Sequence, residues 1–227
     1  MPSRIKRRPI DDPINLLPRA ITKLNSLWMK WTYPFASIGE KASFHYTSKV
    51  FRPRSTRISL GNHVSLREYA WLSIATEDHT GEPVIVLEDN CHVGFGSILS
   101  AKNRIYLERD VLIGQMVLIV DHNHTYEDIN VPVVHQGISG NGTVRIGQGT
   151  WVGHGAAIIA PRGDLTIGRN CVIAANSVVM RSIPDYSVVA GYPATIIRQY
   201  DPQTQSWRVG RNENKSVREA DTTLQSR

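Results

Sequence analysis

The chain has 227 residues, 41% of them hydrophobic and 20% charged, with 26 Lys and Arg against 20 Asp and Glu for a net charge of +6. That suits one domain with appendages, or at most two, with enough apolar residues to bury a core. No apolar run approaches the ~18 residues of a membrane span, and the start MPSRIKRRPIDDP is basic without the apolar stretch of a secretory signal, so a cytoplasmic protein is expected. The charge is segregated: residues 1–57 hold 12 Lys and Arg against 3 Asp and Glu, and the remainder holds 14 against 17. A nucleic-acid-binding fold wants its basic stripe on the main body. Here the main body is slightly acidic, and no nucleic-acid partner is expected.

The first predicted element is a helix within a basic segment, residues 1–37. Leu17, Ile21, Leu24, Trp28 and Trp31 are spaced four and three apart in turn, as on one face of a helix. Pro18 suits the first turn and Tyr33-Pro34 the end. Arg19, Lys23 and Lys30 lie off the stripe. Two uses follow: the helix covers the open edge of the body that comes next, or it makes a peripheral contact with a membrane or a lipid-linked substrate. The covering role is the preferred expectation.

From about Ile38 the chain counts in sixes. Aliphatic residues recur at Leu60, Leu66 and Leu72; at Leu87, Val93 and Leu99; at Leu107, Ile113 and Ile119; at Ile146, Val152 and Ile158; and at Ile167, Ile173 and Val179. Ile38, Phe44 and Val50 extend the series backwards. The fifth position of each hexad is small and includes both cysteines, Cys91 and Cys171, which are therefore read as buried packing residues and not as redox or catalytic groups. A period of six fits neither an amphipathic helix nor a hairpin. It fits a short strand and a tight corner, three of which close a triangular coil. Asn62, Asn90, Gly149 and Asn170 supply residues that tolerate the positive φ of such corners. Successive coils then stack as parallel strands and bury one another's side chains.

The count stops between Val120 and about Thr143. VDHNHTYEDI, 120–129, brings two histidines and three carboxylates into a long loop, and such loops inside compact folds are usually functional. His122 and His124 are candidate proton acceptors, because imidazole changes charge near neutral pH. Asp121, Glu127 and Asp128 are candidates to orient them. A His-x-His pair beside acids also suits a metal, but no third ligand is close: His135 stands eleven residues beyond His124. No metal is expected.

The run IGQGTWVG through IGRNCVIAANSVV to VVAGYPATIIR, together with five ordered hexad triplets, resembles the hexapeptide-repeat acyltransferases over residues 38–198. The resemblance implies an all-β fold, a left-handed parallel β-helix of five to six coils. It implies acetyl-CoA as acyl donor, bound in a groove between subunits of a homotrimer. It places the general base at His122, with His124 as the alternative and Asp121 beside it. On the donor side it points to Trp151, His154, Ala175, Arg181 and Arg198, the two arginines toward phosphates. Met180, Ala174 and Asn176 depart from the usual residues of the IGAGS-like segment. Gly96 and Ala101 or Lys102 stand where simple sugar acetyltransferases carry Asn and Asp. The expected activity is O-acetylation of a sugar hydroxyl in a polysaccharide, an O-antigen precursor or a glycolipid. N-acetylation of an amino sugar, serine acetylation and a non-catalytic scaffold remain alternatives. The polar tail, 199–227, is expected to be partly disordered.

Overall fold

The computed structural model describes residues 16–75 and 81–210. The basic segment 1–15 and the end of the tail, 211–227, lie outside the described residues. The hexads close into a parallel β-helix of six coils with three faces. The first face stacks Ser37–Ile38, Ile58–Leu60, Ile85–Leu87, Arg104–Leu107, Thr143–Ile146 and Asp164–Ile167. The second runs through Ser43–Phe44, Ser65–Leu66, His92–Val93, Leu112–Ile113, Trp151–Val152 and Val172–Ile173 to Ser187–Gly191. The third stacks Lys49–Val50, Trp71–Ile74, Ile98–Ala101, Leu118–Val120, Ala157–Ile159 and Val178–Val179.

The six-residue spacing becomes a spatial column because neighbouring coils pair residue on residue. Leu60 pairs with Leu87, Leu87 with Leu107, Leu107 with Ile146 and Ile146 with Ile167. Phe44, Leu66, Val93, Ile113, Val152 and Ile173 form the second column. All of these are essentially inaccessible to solvent. The small residues of the fifth positions are buried beside them; of the polar ones, Ser97 Oγ donates to Gly114 O at 2.8 Å and Thr150 Oγ1 to Gly168 O at 2.8 Å, while the buried Ser177 Oγ has no hydrogen-bond partner. The first face carries a further inward column, Ile58, Ile85, Ile105, Val144 and Leu165, which the strict count of six does not reveal, because the strands there run one or two residues longer than those of the second face.

The corners need positive φ, as expected at Asn90, Gly149 and Asn170, but Asn62 is not such a residue; His63 takes φ 57° in its place. Asn62 sits one position earlier and links coils: its Oδ1 accepts the Glu40 N–H at 2.9 Å. Glycine is required elsewhere by crowding. A Cβ on Gly94 would lie 2.1 Å from Gly114 O in the next coil.

The N-terminal helix α1 spans Leu16–Thr32 and lies over the first coil, where Ser26 Oγ accepts the Phe44 N–H at 2.9 Å and Asn25 Nδ2 donates to Phe44 O at 3.2 Å. These bonds satisfy backbone groups that have no preceding coil to pair with. The face used is not the apolar stripe. Ser26 and Met29 are buried, whereas Leu17 is 69%, Leu24 66% and Trp31 88% exposed. Register explains this: short polar side chains can reach an open strand edge, and long aliphatic ones cannot bond to it.

At the other end the chain reverses after Gly191. Ala194–Asp201 pairs antiparallel with Ser187–Gly191 and then with Ser206–Val209. Regular structure therefore continues past the expected boundary at 198, because the last coil's open edge is paired by the tail itself.

Gly94→Ala is expected to lower the melting temperature by about 2–12 °C, taking an overpacking cost of about 1–3 kcal/mol and about 2–4 °C per kcal/mol for a domain this size. Differential scanning calorimetry tests it, and a parental Tm contradicts the packing described.

Candidate active site

The coils differ in length, and the extra residues gather at the corner from the third face to the first. There the described chain turns through 52–57, 102–103, 121–142 and 160–163. The interruption of the count is an ordered excursion from this corner. Asn123–His124 pairs antiparallel with Ile138–Ser139, and a single helical turn, α2 (Val133–Gln136), lies between. Gln136 Nε2 donates to Asp128 O at 2.7 Å and to Val131 O at 2.6 Å, closing the loop on itself.

At its root stands Asp121, 0% exposed. Its Oδ1 accepts the Lys102 N–H at 2.7 Å, and its Oδ2 accepts those of Asn103 at 2.8 Å and Arg104 at 2.7 Å. A carboxylate holding three backbone N–H groups acts as an acceptor throughout. The remaining contact, His122 Nδ1 to Asp121 Oδ1 at 2.9 Å, is therefore donated by the imidazole. The tautomer follows by assignment: Nδ1 carries the proton and Nε2 the lone pair. Only 10% of the His122 side chain is exposed.

The excursion is clamped over this pair. Lys102 Nζ donates to Gly140 O at 2.9 Å, and Asn103 Nδ2 donates to Gly142 O at 2.9 Å. Gly140, at φ 109°, passes so close that a Cβ would stand 3.2 Å from His122 Cα and 2.6 Å from Pro161 O. Beside it opens a hollow of about 780 Å³ lined by residues that include Asn123, Tyr126, Glu127, Ser139, Asn141 and Arg162.

The structure thus brings together Asp121 and His122. His124 lies exposed on the outgoing strand, and Glu127, Asp128 and His135 are exposed further along the loop. Asp121 does not stand in water as the other loop carboxylates do, since the corner turn 102–104 surrounds it. Asn103 is a contributor that the sequence pattern did not single out, and Lys102 was noted only as a departure from simple sugar acetyltransferases, because their partners lie 18–39 residues away. Among the described residues no three His, Cys, Asp or Glu side chains group as metal ligands.

The donor-side candidates occupy other places. Trp151 is half-exposed on the second face, and His154 and Ala175 are exposed at the next corner, on successive coils. Arg181 is exposed and shares a groove of about 290 Å³ with Arg162, at the corner that carries the histidine. Arg198 lies on Ala194–Asp201 with its guanidinium 5.0 Å from the centre of the Trp207 ring, a stacking partner supplied by the tail. His154 and Ala175 do not line the hollow beside Gly140.

Neither cysteine is a nucleophile. Burial pushes the Cys91 thiol up to about 12, and burial raises Cys171 as well, so both remain protonated thiols at neutral pH.

No family model matches the sequence. The chain is 35% identical over 152 residues to a probable acetyltransferase of Mycobacterium tuberculosis, covering 62% of this chain and 49% of that one. It is 34% identical over 137 residues to a putative lipopolysaccharide biosynthesis O-acetyl transferase of Escherichia coli, covering 57% of this chain and 68% of that one. The chain thus spans about half of the first relative and about two thirds of the second. Its fold matches that of AntD, an N-acyltransferase from Bacillus cereus solved with dTDP-4-amino-4,6-dideoxyglucose and coenzyme A, at a TM-score of 0.61 and 16% identity, covering 89% of this chain and 96% of that one.

Two outcomes are expected. Asp121→Ala removes the acceptor of three part-buried N–H groups at about 1 kcal/mol or more each, so Tm should fall by about 6 °C, with Asp121→Asn in between; thermal melts of the three proteins decide it. A disulfide reagent should leave both thiols untouched until the protein unfolds, and rapid labelling of the native protein contradicts their burial.

Proposed function

Because this chain belongs to the hexapeptide-repeat acyltransferases, with their left-handed parallel β-helix, we propose that it moves an acetyl group from acetyl-CoA to a sugar hydroxyl in a polysaccharide, an O-antigen precursor or a glycolipid. The observation that carries this reading is the Asp121–His122 pair, in which the contact of Nδ1 with the buried carboxylate at 2.9 Å leaves the other ring nitrogen to take a proton. His122 Nε2 takes the proton as the acceptor oxygen attacks the thioester carbonyl. The carbon–sulfur bond breaks, and the same nitrogen returns the proton to the departing sulfur. Asp121 holds the ring in the required tautomer and offsets the positive charge that the ring gains in between. Direct attack is favoured because neither buried thiol can form an acyl intermediate.

The hollow with Asn123, Tyr126, Ser139, Asn141 and Arg162 is suited to a hydroxyl-rich acceptor, since it offers hydrogen-bond donors and acceptors along one wall. The named role of the Escherichia coli relative, O-acetyl transfer in lipopolysaccharide biosynthesis, favours a hydroxyl over an amine. On the donor side, Trp151, His154 and Ala175 are assigned to the pantetheine side and Arg181 and Arg198 to phosphates, which guanidinium groups bind bidentately. His154 and Ala175 occupy a different corner from His122, so a second subunit is needed to bring the two halves together. A homotrimer does this, and the exposed Tyr69, Phe95, Met116 and Leu118 supply apolar surface for its contacts. A cytoplasmic setting fits the donor.

His122→Ala is expected to lower kcat by about 10²–10⁴ with acetyl-CoA binding nearly unchanged, and His124→Ala should lose far less. Steady-state kinetics decide between them: near-parental turnover in the His122 variant ends the reading. Arg181→Ala and Arg198→Ala should raise KM for acetyl-CoA, and an unchanged KM in both removes the phosphate assignment.

A further inference from the structure

Helix α1 is inside out. Its polar side, Asn25 and Ser26 with Met29, rests on the first coil, and its apolar side faces away from the protein. Leu17, Ile21, Leu24, Leu27, Trp28 and Trp31 are all exposed. They occupy the i, i+3, i+4, i+7 positions of one broad sector, and no charged residue falls between them on the wheel. Trp28 is steadied by an edge-on contact with Tyr33, ring centres 5.6 Å apart. An apolar face of this size is not left bare without a partner.

The cations indicate which partner. Arg19, Lys23 and Lys30 run along one flank of the sector, and with Lys41 and Arg67 of the first two coils they line a cleft of about 1010 Å³ in which Glu68 is the one carboxylate among the described residues. Four further cations, Arg4, Lys6, Arg7 and Arg8, precede the helix in the sequence. A face of leucine, isoleucine and tryptophan bordered by lysine and arginine is complementary to a bilayer surface with anionic headgroups. The aliphatic residues enter the acyl boundary, the tryptophans lie at headgroup level and the cations meet phosphates.

We propose that α1 docks the protein on an anionic lipid surface, lying in the interface without crossing it. No described helix is long and apolar enough to cross a membrane. The bilayer then faces the first coil. His122 leaves the fourth coil, three strand spacings of ~4.8 Å away along the stack, so the site stands just above the lipid. This inference rests on the helix and not on the acyl-transfer reading, and it holds or fails by itself.

The test is sedimentation of the full chain with vesicles of phosphatidylcholine alone and of phosphatidylcholine mixed with phosphatidylglycerol. The protein is expected to pellet with the mixed vesicles, weakly or not at all with the neutral ones, and to be released by salt. Lys23→Glu with Lys30→Glu should lower partitioning by at least about tenfold. Leu24→Ser with Trp31→Ser should do the same while leaving circular dichroism unchanged, because both residues are solvent-exposed. Light scattering of this last variant supplies the rival outcome. Failure of the parent to bind either vesicle overturns the proposal. So does binding that ignores both pairs of substitutions. A parent that does not bind, coupled with a lower oligomer mass in the Leu24→Ser/Trp31→Ser variant, assigns the face to a second copy of the chain.

Discussion

Each coil must hydrogen-bond its backbone to the next in register, and the rest of the molecule follows from that requirement. Parallel pairing of Leu87 on Leu107 or Val93 on Ile113 converts a repeat of six into continuous inward columns. Such columns tolerate neither insertion within a strand nor a side chain where backbone meets backbone, as at Gly94. Length variation is driven to the corners, and here chiefly to one of them. The turn at 102–103, the excursion at 121–142 and the turn at 160–163 are therefore stacked above one another. Chemistry-bearing residues far apart in the chain meet there because nowhere else has room for them.

Within that corner the organising group is a single buried carboxylate. Asp121 is excluded from solvent and satisfied by three N–H groups of the coil below its own strand. A charge can be buried only with such compensation, and the compensation fixes more than the charge. It makes the carboxylate an acceptor toward His122, which selects the imidazole tautomer, and it ties the turn 102–104 to the root of the excursion. Lys102 and Asn103 then hold the returning strand at Gly140 and Gly142. The root of a loop that departs from the repeat is thereby anchored to the coils, which suits a group that must present one nitrogen in one direction.

The two ends of the stack solve one problem differently. A parallel β-helix leaves an open edge at each end, and open edges invite further pairing. At the C-terminal end the chain folds back, and Ala194–Asp201 and Ser206–Val209 extend the second face antiparallel, where Trp207 also stacks on Arg198. At the N-terminal end a helix covers the edge through Asn25 and Ser26. That choice commits its polar side inward and leaves its leucines and tryptophans exposed.

Much of this was legible in the sequence. The six-residue period specifies the strand and corner alternation, the inward residues and the placement of both cysteines, because a solenoid's core is made of local repeats and each hexad carries its own pattern. The histidine loop stood out as the place where the pattern breaks. What the period cannot carry is contact between coils. That Asp121 is buried, that it reaches across to 102–104, and that Lys102 and Asn103 clamp the loop depend on residues 17–39 positions apart meeting at one corner. The helix shows the same limit: its spacing marked an apolar stripe, but which stripe meets the protein was decided by the open backbone groups of Phe44, whose need for hydrogen bonds outweighed the burial of leucine.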